Sequence, residues 1–392
     1  MYIDILGNQV PTEVLMGYLS LFTICIMSLA LPLNANSYKL TTRLIILPAI
    51  IYNTYHIYVS CYTKVKTPGN RYGLPSNALG ICLRSIDLFL FSGDHYKTLF
   101  RLKKPITNNT FIDRLKYSLE FWFTFRGIGW NWGSRKTPKV HKSNMPKLEF
   151  TMRHLVDFGY RYVIMDIIDN YLRYYGFFSS TPRMMNDLPL FHPFRLVVGF
   201  LHGCFLWQII EMAYSSLVIP CVLLNLSSTD ECPPQFGKLS EATSLKSYWS
   251  TFWHSNWKKP FVGISLGITR FLRLPNIVGV AGTFAISGLF HSLLAYSAHK
   301  AKAGTGIDTM ISFLIQPLGI VLEQIFISRI LPLIPNKIKY NKSFQPLCYL
   351  WVSIWLSLTA SPAFDEINAS HLFAIPILPF SPIKYLCNNI IT

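Results

Sequence analysis

Ala281–Tyr296, AGTFAISGLFHSLLAY, is apolar enough to lie inside a bilayer, yet it carries one ionisable residue, His291, near its middle. A titratable side chain at membrane depth costs roughly 2–3 kcal/mol, so we interpret His291 as a functional residue. Ser287 and Gly288 lie one helical turn before it and are small, which leaves room beside the imidazole for a ligand or a partner helix. The stretch predicts a membrane-spanning helix built around one histidine. A hydrogen-bonded structural histidine is the alternative.

The rest of the chain has the composition of a membrane protein. Of its 392 residues, 51% are hydrophobic and 14% are charged, and the mean hydropathy is +0.31. Because a soluble domain carries about 25% charged residues, we predict an all-α, polytopic membrane protein of about 7–9 transmembrane helices around a central cavity. We treat residues 1–392 as a single integral-membrane domain. Further apolar runs cover residues 14–33, 44–61, 78–91, 195–226, 310–333 and 347–358. The first of these runs is too long for the apolar core of a signal peptide, so we expect no cleaved signal.

The charge of the chain limits the choice of partner. The net charge is +17, which suits nucleic acid, anionic lipid or a polyanionic small molecule. No zinc-finger, RRM or helix-turn-helix pattern occurs, so nucleic acid is the weakest of the three. Residues 97–155 carry thirteen Lys or Arg against three acids. By the positive-inside rule, this basic loop is predicted to be cytosolic.

Several common metal-binding and nucleotide-binding patterns are absent from the sequence. The eight cysteines are scattered without a CxxC pair, and HExxH, P-loop and GxGxxG patterns do not occur. We therefore predict no metal site and no bound cofactor.

A second unusual stretch is Ser244–Lys259, SLKSYWSTFWHSNWKK. Trp249, Trp253 and His254 fall at i, i+4 and i+5, which predicts an amphipathic helix at the membrane interface with the histidine directed inward. His254 lies 37 residues before His291, and the two would face one cavity. A neutral imidazole can take a proton from an alcohol that attacks an activated acyl group, and a second histidine can hydrogen-bond the donor or the oxyanion.

Three polar residues inside apolar runs have a structural interpretation. Arg84 and Asp87 are spaced by three residues, which puts them on one helical face, so we expect them to pair with each other. His202 is expected to be a buried structural histidine.

Three motifs resemble those of a known family. YWSTFWHS is similar to the FW-x-x-x-WH/WN motif of membrane-bound O-acyltransferases, and SGLFH is similar to the motif that holds the active-site histidine of that superfamily. The segment Arg126–Trp132, RGIGWNW, resembles an RG-x-GW segment frequent in fungal members of the wax-synthase-like branch. Many of those members acetylate terpenoid and meroterpenoid natural products. Gly127 and Gly129 allow a tight turn in this segment.

The resemblance implies roles for residues of this chain. His291 would be the catalytic base and His254 its polar partner. Residues that would bind substrate or acyl-CoA are Trp249, Trp253, Lys258, Ser287, Arg126 and Trp130. Two departures stand out. The acidic residue that usually follows the motif histidine is Ser292 here, and the glycine-arginine pair after the FW is Ser250–Thr251, so Lys258 and Lys259 would replace the phosphate contact of that arginine.

The expected reaction is direct transfer from acyl-CoA to a hydroxyl, with acetyl-CoA as co-substrate. The acceptor would be a lipophilic alcohol that enters from the bilayer, favoured as a terpenoid or related metabolite, and the expected location is the endoplasmic reticulum. A long-chain wax ester synthase is the alternative within the family. From other classes, a transporter would need symmetry-related repeats, which are not visible. A membrane terpene cyclase would need an acid as proton donor, for which Asp166, Asp169 or Glu211 are available.

Overall fold

The chain folds into helices, and the computed structural model describes residues 10–30, 41–92, 110–133, 145–299, 305–335 and 344–390. Its α-helices are α1 (Thr12–Ala30), α2 (Leu47–Lys64), α3 (Pro68–Ile86), α4 (Phe111–Phe123), α5 (Lys147–Tyr174), α6 (Pro193–Leu223), α7 (Leu245–Ser247), α8 (Lys258–Phe271), α9 (Asn276–His299), α10 (Ile307–Leu314), α11 (Gln316–Ile325), α12 (Phe344–Thr359), α13 (Ser361–Ala369) and α14 (Pro382–Ile390). In the same residues, π-helical turns cover Thr42–Ile46, Asp87–Phe91, Tyr248–Phe252 and Phe326–Ile330, and 3₁₀ turns cover Met185–Asp187, Thr229–Glu231, Leu239–Glu241 and Leu331–Leu333. None of the described residues forms a β-strand.

Six helical segments in the described ranges are long and apolar enough to cross a membrane. They are Thr12–Ala30, Thr42–Lys64, Pro68–Phe91, Pro193–Leu223, Asn276–His299 and Ile307–Leu333. A seventh span results if Gln345–Thr359 and Ser361–Ala369, which are bent by 45° relative to each other, count as one. Large apolar side chains on these segments are exposed, for example Leu19 at 62% and Leu44 at 65%, as expected where lipid replaces water. The predicted all-α, polytopic fold is confirmed in the described residues, which hold six or seven candidate spans; the lower end of the expected 7–9 is reached only if the bent pair is one span.

The helices group into two compact units. The first comprises Met1–Arg135 with Asn256–Met310, and the second comprises Lys136–Ser255 with Ile311–Thr392. Of the predicted site residues, the first unit holds Arg126, Trp130, Lys258, Ser287 and His291, and the second unit holds Trp249, Trp253 and His254. The single domain expected from the sequence stays a prediction.

In the first unit, helix α3 begins ten residues before the apolar run that predicted it at Ala78. Pro68 stands in its first turn, where the missing N–H of proline is tolerated. Arg71 is buried, and its guanidinium donates to the carbonyls of Ala298 (2.7 Å) and Ser297 (3.1 Å). These carbonyls belong to the last turn of α9, which has no further intrahelical donors for them. The polar start of α3 therefore holds the end of the helix that carries His291.

The aromatic part of the predicted basic loop is folded within the first unit. Helix α4 begins after a capping box in which the Thr110 side chain accepts from Asp113 N (3.1 Å). Gly127 and Gly129 have φ of +67° and +76°, and Trp130 N donates to Gly127 O (3.0 Å), which confirms the tight turn. Residues 97–109 and 134–144 of the loop lie outside the described residues.

The expected pairing of Arg84 with Asp87 is wrong. The Arg84 guanidinium donates to the carbonyls of Phe121 (2.6 Å) and Thr124 (2.9 Å), which lie at the C-terminal end of α4. The Asp87 carboxylate instead pairs with Lys259 Nζ at 3.5 Å. Both partners are more than thirty residues away in sequence. Carbonyls at the C-terminal end of a helix carry partial negative charge, so they can compensate the buried Arg84, while Asp87 stands where its own helix turns into a π-turn.

In the second unit, α5 packs against α6 and carries ion pairs along its length. Arg173 donates to Asp169 at 2.6 and 3.0 Å, one helical turn apart. On α6, His202 is buried, with Nδ1 at 2.9 Å from Val198 O and Nε2 at 3.1 Å from Asn368 Nδ2. Both ring nitrogens of His202 therefore have partners inside the unit, and its interpretation as a buried structural histidine is confirmed.

Candidate functional site

His291 lies in the middle of α9 in the first unit and is only partly buried. Its Nδ1 is 3.2 Å from the hydroxyl oxygen of Tyr72, a residue of α3. The Tyr72 ring packs against a cluster formed by Phe261, Phe290 and Leu294. Tyr72 is not predicted from the sequence, because nothing near Tyr72 or near His291 indicates a contact between residues 219 positions apart.

The residues that flank His291 have separate surroundings. Gly288 is buried and Ser287 is partly buried on the preceding turn of α9. The Ser292 hydroxyl donates to the carbonyl of Gly306. Gly306 has φ of +75°, and a Cβ on it would lie 2.5 Å from Ser292 O, so only glycine fits this close approach. Ser292 thus holds the segment that follows α9 and is not the partner of His291 Nδ1. That partner is the Tyr72 hydroxyl.

In the second unit, the tryptophan-rich stretch forms a shorter helix than predicted. Helix α7 begins with a capping box at Ser244 and continues as a π-turn that ends at Phe252. Trp253 N donates back to Tyr248 O (2.7 Å), and Gly237 N donates to Phe252 O (2.8 Å). The carbonyl that would continue the helix is therefore used by another segment. Trp249 is helical, but Trp253 and His254 follow the helix, so the predicted helix through all three is wrong.

Side chains from α11 hold this stretch in the second unit. The Glu323 carboxylate accepts from Leu245 N (2.7 Å) and Lys246 N (3.2 Å), and so caps the start of α7. The Gln316 side-chain oxygen accepts from Trp249 Nε1 at 3.3 Å. Neither Glu323 nor Gln316 was predicted from the sequence. Glu323 could have been, because an ionisable residue inside the apolar run 310–333 is a detectable signal.

Trp253 and His254 lie in an aromatic environment within the second unit. The Trp253 ring stacks on Tyr248 at 5.5 Å between centroids, and His254 is 5.7 Å from the Phe236 ring and 5.4 Å from the Trp253 ring. Burial raises the pKa of the Tyr248 hydroxyl well above its usual range, so this group stays protonated and neutral. The expectation that His254 and His291 face one cavity stays a prediction.

A small cavity lies in the first unit beside the start of α8. Its volume is about 20 Å³, enough for about one water molecule, and its polar lining includes Arg84, Asp87, Ser92 and Lys259. Lys259 forms an ion pair with Asp87, whereas Lys258 occupies the first position of α8. Of the two lysines proposed to contact phosphate, Lys259 thus already has an anionic partner.

Arg126 and Trp130 are buried in the first unit. Arg126 is 8% exposed and Trp130 is 3% exposed. The Trp130 ring contacts Tyr117 and Phe121 edge-on, at 5.3 and 5.7 Å between centroids. Their assignment to acyl-CoA binding stays a prediction, and the observed contacts of Trp130 are those of a packed core.

The acids that a cyclase would use have partners in the second unit. Asp166 accepts from Ile383 N (2.9 Å) and Asn170 Nδ2 (2.9 Å), and Asp169 pairs with Arg173. Glu211 accepts from Phe236 N (3.1 Å). Among the described residues, no group of three or more His, Cys, Asp or Glu is arranged to hold a metal ion.

The fold and these residues define a class: a multi-pass helical membrane protein with a histidine inside an apolar span. The sequence profile of the Membrane bound O-acyl transferase family matches residues 232–315, which include His254 and His291. The chain is also similar to fungal acetyltransferases: eriL of Hericium erinaceus (23% identity over 71% of this chain and 72% of the relative) and ataH of Aspergillus terreus (27%, 60% and 84%). The acetyltransferase TRI7 of Fusarium sporotrichioides is 25% identical over 61% of this chain and 60% of its own length.

The chain is therefore related to the membrane-bound O-acyltransferases, and the resemblance predicted from its motifs is confirmed. It is an acyltransferase by class and an integral, multi-pass membrane protein. The motif helix α9 and the tryptophan-rich stretch both fall within the matched region, whereas Arg126 and Trp130 precede it.

Proposed function

We propose that the chain transfers an acetyl group from acetyl-CoA to a hydroxyl of a lipophilic acceptor, with His291 as general base. The observation that carries the proposal is the position of His291. Its imidazole is the ionisable group at the middle of an apolar span, is partly accessible, and lies in the region that matches the family. An ionisable group at that depth is costly and marks a functional site.

In the proposed reaction, the imidazole of His291 takes the hydroxyl proton while the alcohol oxygen attacks the thioester carbonyl. The carbon–sulfur bond then breaks, and the thiolate of CoA leaves with the proton returned by the imidazolium. The products are an acetyl ester and free CoA. We infer that His254 hydrogen-bonds the developing oxyanion or the donor, which lowers the barrier where negative charge develops. We also assign substrate or acyl-CoA contacts to Trp249, Trp253, Lys258 and Ser287, with Arg126 and Trp130 as supporting residues.

The identity of the donor is supported by charge and by the relatives. Acyl-CoA is polyanionic, and residues 97–155 carry thirteen basic residues that would attract it on the cytosolic side. The similar fungal proteins are named acetyltransferases. We propose a terpenoid or related secondary-metabolite alcohol as acceptor and the endoplasmic reticulum as location, with a long-chain alcohol as the alternative acceptor.

The test is acyl transfer in microsomes from a host that expresses the chain. Carbon-13-labelled acetyl-CoA or palmitoyl-CoA is supplied with farnesol, ergosterol or hexadecanol, and the lipid extract is analysed by mass spectrometry. We expect a labelled acetyl ester that His291→Ala abolishes. The matched control is His56→Ala, which removes an exposed histidine from another apolar helix and should leave the product unchanged.

Each outcome of this test has a defined meaning. An acetyl ester that persists in His291→Ala would overturn the base assignment. Products formed from palmitoyl-CoA alone would replace acetyl transfer by long-chain ester synthesis. The absence of any acylated product, with the chain present at normal levels in the membrane, would overturn the proposed function.

A further inference from the structure

We propose that Tyr72 is a positioning residue for His291: its hydroxyl oxygen accepts a hydrogen bond from Nδ1–H and thereby holds the imidazole in the tautomer whose Nε2 can act as base. This inference rests on the proposed function, in which His291 takes the hydroxyl proton. The observation that motivates it is the 3.2 Å distance between the Tyr72 hydroxyl oxygen and His291 Nδ1.

The tautomer follows from the hydrogen-bonding capacity of each group. A neutral imidazole has one N–H donor and one acceptor nitrogen, whereas a phenolic hydroxyl can donate or accept. If Tyr72 donated to Nδ1, the proton of the ring would sit on Nε2, and Nε2 could not take another. If Tyr72 accepts from Nδ1–H, the lone pair is on Nε2. A general base that contacts Tyr72 through Nδ1 therefore requires the second arrangement.

The Tyr72 ring packs against apolar side chains, and its neighbour Arg71 also contacts α9. The ring contacts the cluster of Phe261, Phe290 and Leu294, which includes residues of α9 itself. The preceding residue, Arg71, binds the carbonyls at the end of α9. Helix α3 thus holds α9 at two places, and the distance from the Tyr72 hydroxyl to the imidazole cannot change without repacking this cluster.

The residue that follows His291 in the chain does not orient the imidazole. The resemblance leads us to expect an acid there, but the residue is Ser292, and its hydroxyl donates to Gly306 O. Tyr72 supplies a neutral oxygen acceptor for the imidazole N–H in place of a carboxylate. In metal sites, groups that orient a histidine ligand typically contribute about 10–100-fold, and we expect an effect of similar size for Tyr72.

The first test measures the tautomer and needs no acceptor alcohol. Protein labelled with nitrogen-15 histidine is reconstituted in lipid bilayers, and the His291 signals are identified by their loss in His291→Ala. We expect the Nδ1–H form in the unsubstituted chain and a shift towards the Nε2–H form in Tyr72→Phe, which removes only the hydroxyl. The proposal is overturned if His291 has the Nε2–H form in the unsubstituted chain or if Tyr72→Phe leaves the tautomer unchanged.

A matched control separates positioning from general support of the helix. Tyr58, on α2, donates to Leu293 O at 2.8 Å, so Tyr58→Phe also removes a tyrosine hydrogen bond to α9 but does not touch the imidazole. We expect Tyr58→Phe to keep the Nδ1–H form. Equal changes of tautomer in the two variants would mean that Tyr72 only supports the helix, which contradicts the proposal.

The second test is kinetic and separates this inference from the proposed function. With acetyl-CoA and the alcohol acetylated in the microsome assay, we expect Tyr72→Phe to lower kcat about 10-fold or more with an unchanged KM for acetyl-CoA. Full activity in Tyr72→Phe together with loss of activity in His291→Ala would overturn the role of Tyr72 alone. Full activity in His291→Ala would overturn the base assignment whatever Tyr72 does.

Discussion

Gly263 lets helix α8 approach the buried carboxylate of Asp87, and alanine at this position is expected to destabilise the first unit. A Cβ on Gly263 would lie 1.9 Å from Asp87 Oδ1 and 2.5 Å from Asp87 Cγ. Asp87 has a short side chain that is 7% exposed and is paired with Lys259 at 3.5 Å. The carboxylate therefore has to shift from its present position when the methyl group is added.

The magnitude follows from two opposing effects. Adding a methyl group to a packed site costs about 1–3 kcal/mol, and alanine inside a helix is about 1 kcal/mol better than glycine. Because the contact is so short, we expect the cost to be near the upper value, with a net loss of about 1–2 kcal/mol for Gly263→Ala. Gly73, on α3, has no heavy atom within 4 Å of its added Cβ. Gly73→Ala should therefore be neutral or stabilise the protein by up to about 1 kcal/mol.

The assay is the thermal midpoint of the detergent-solubilised protein, followed by size-exclusion chromatography after heating. We expect the midpoint of Gly263→Ala to lie several degrees below that of the unsubstituted chain and of Gly73→Ala. In an Asp87→Ala background the same glycine change should cost less, because the clashing carboxylate is gone while Lys259, 39% exposed, can be solvated. Equal midpoints for the two glycine variants would refute the close contact between α8 and Asp87.

Two further predictions concern the second unit. Asp169→Asn breaks a mostly buried ion pair with Arg173 and should reduce the free energy of unfolding by about 3–5 kcal/mol, measured as loss of folded protein. Acetyl transfer per folded molecule should stay unchanged, and a selective loss of turnover would mean that Asp169 takes part in the reaction. Burial lowers the pKa of His154, whose Nδ1 is 3.0 Å from Ser215 Oγ, so the unfolded chain binds the proton more readily. The thermal midpoint should therefore fall as the pH drops below about 6.5, and it should fall less in His154→Gln; identical pH dependence in both proteins would contradict this.

Local sequence signals predicted which segments are helical but not always where they begin or end. The run at 78–91 belongs to a helix that starts at Pro68, because Arg71 in its polar first part is buried by contacts with α9. The spacing of Trp249, Trp253 and His254 fits a helix, yet a hydrogen bond from Gly237 to Phe252 O accompanies the end of that helix before Trp253. In both cases a contact with a distant segment, which no local pattern indicates, accompanies the observed helix boundary.

Side-chain partners show the same limit. Arg84 and Asp87 have the spacing of an ion pair, but Arg84 binds carbonyls at the end of α4 and Asp87 binds Lys259. A buried charge takes the partner that best compensates its desolvation, and helix packing decides which partners are within reach. Spacing along one helix cannot include carbonyls and ammonium groups from other helices.

The sequence by itself determined that this protein is a helical, multi-pass membrane protein with an acyltransferase motif around His291. Those properties depend on the composition of runs about 20 residues long and on short motifs, both of which are local. Only the tertiary structure decided that Tyr72 contacts His291, that Arg71 holds the end of its helix, and that Ser292 binds Gly306. The physical reason is that these contacts arise where helices and segments distant in sequence pack together. Such packing depends on the shapes of whole helix faces, which the spacing of residues along a single helix does not determine.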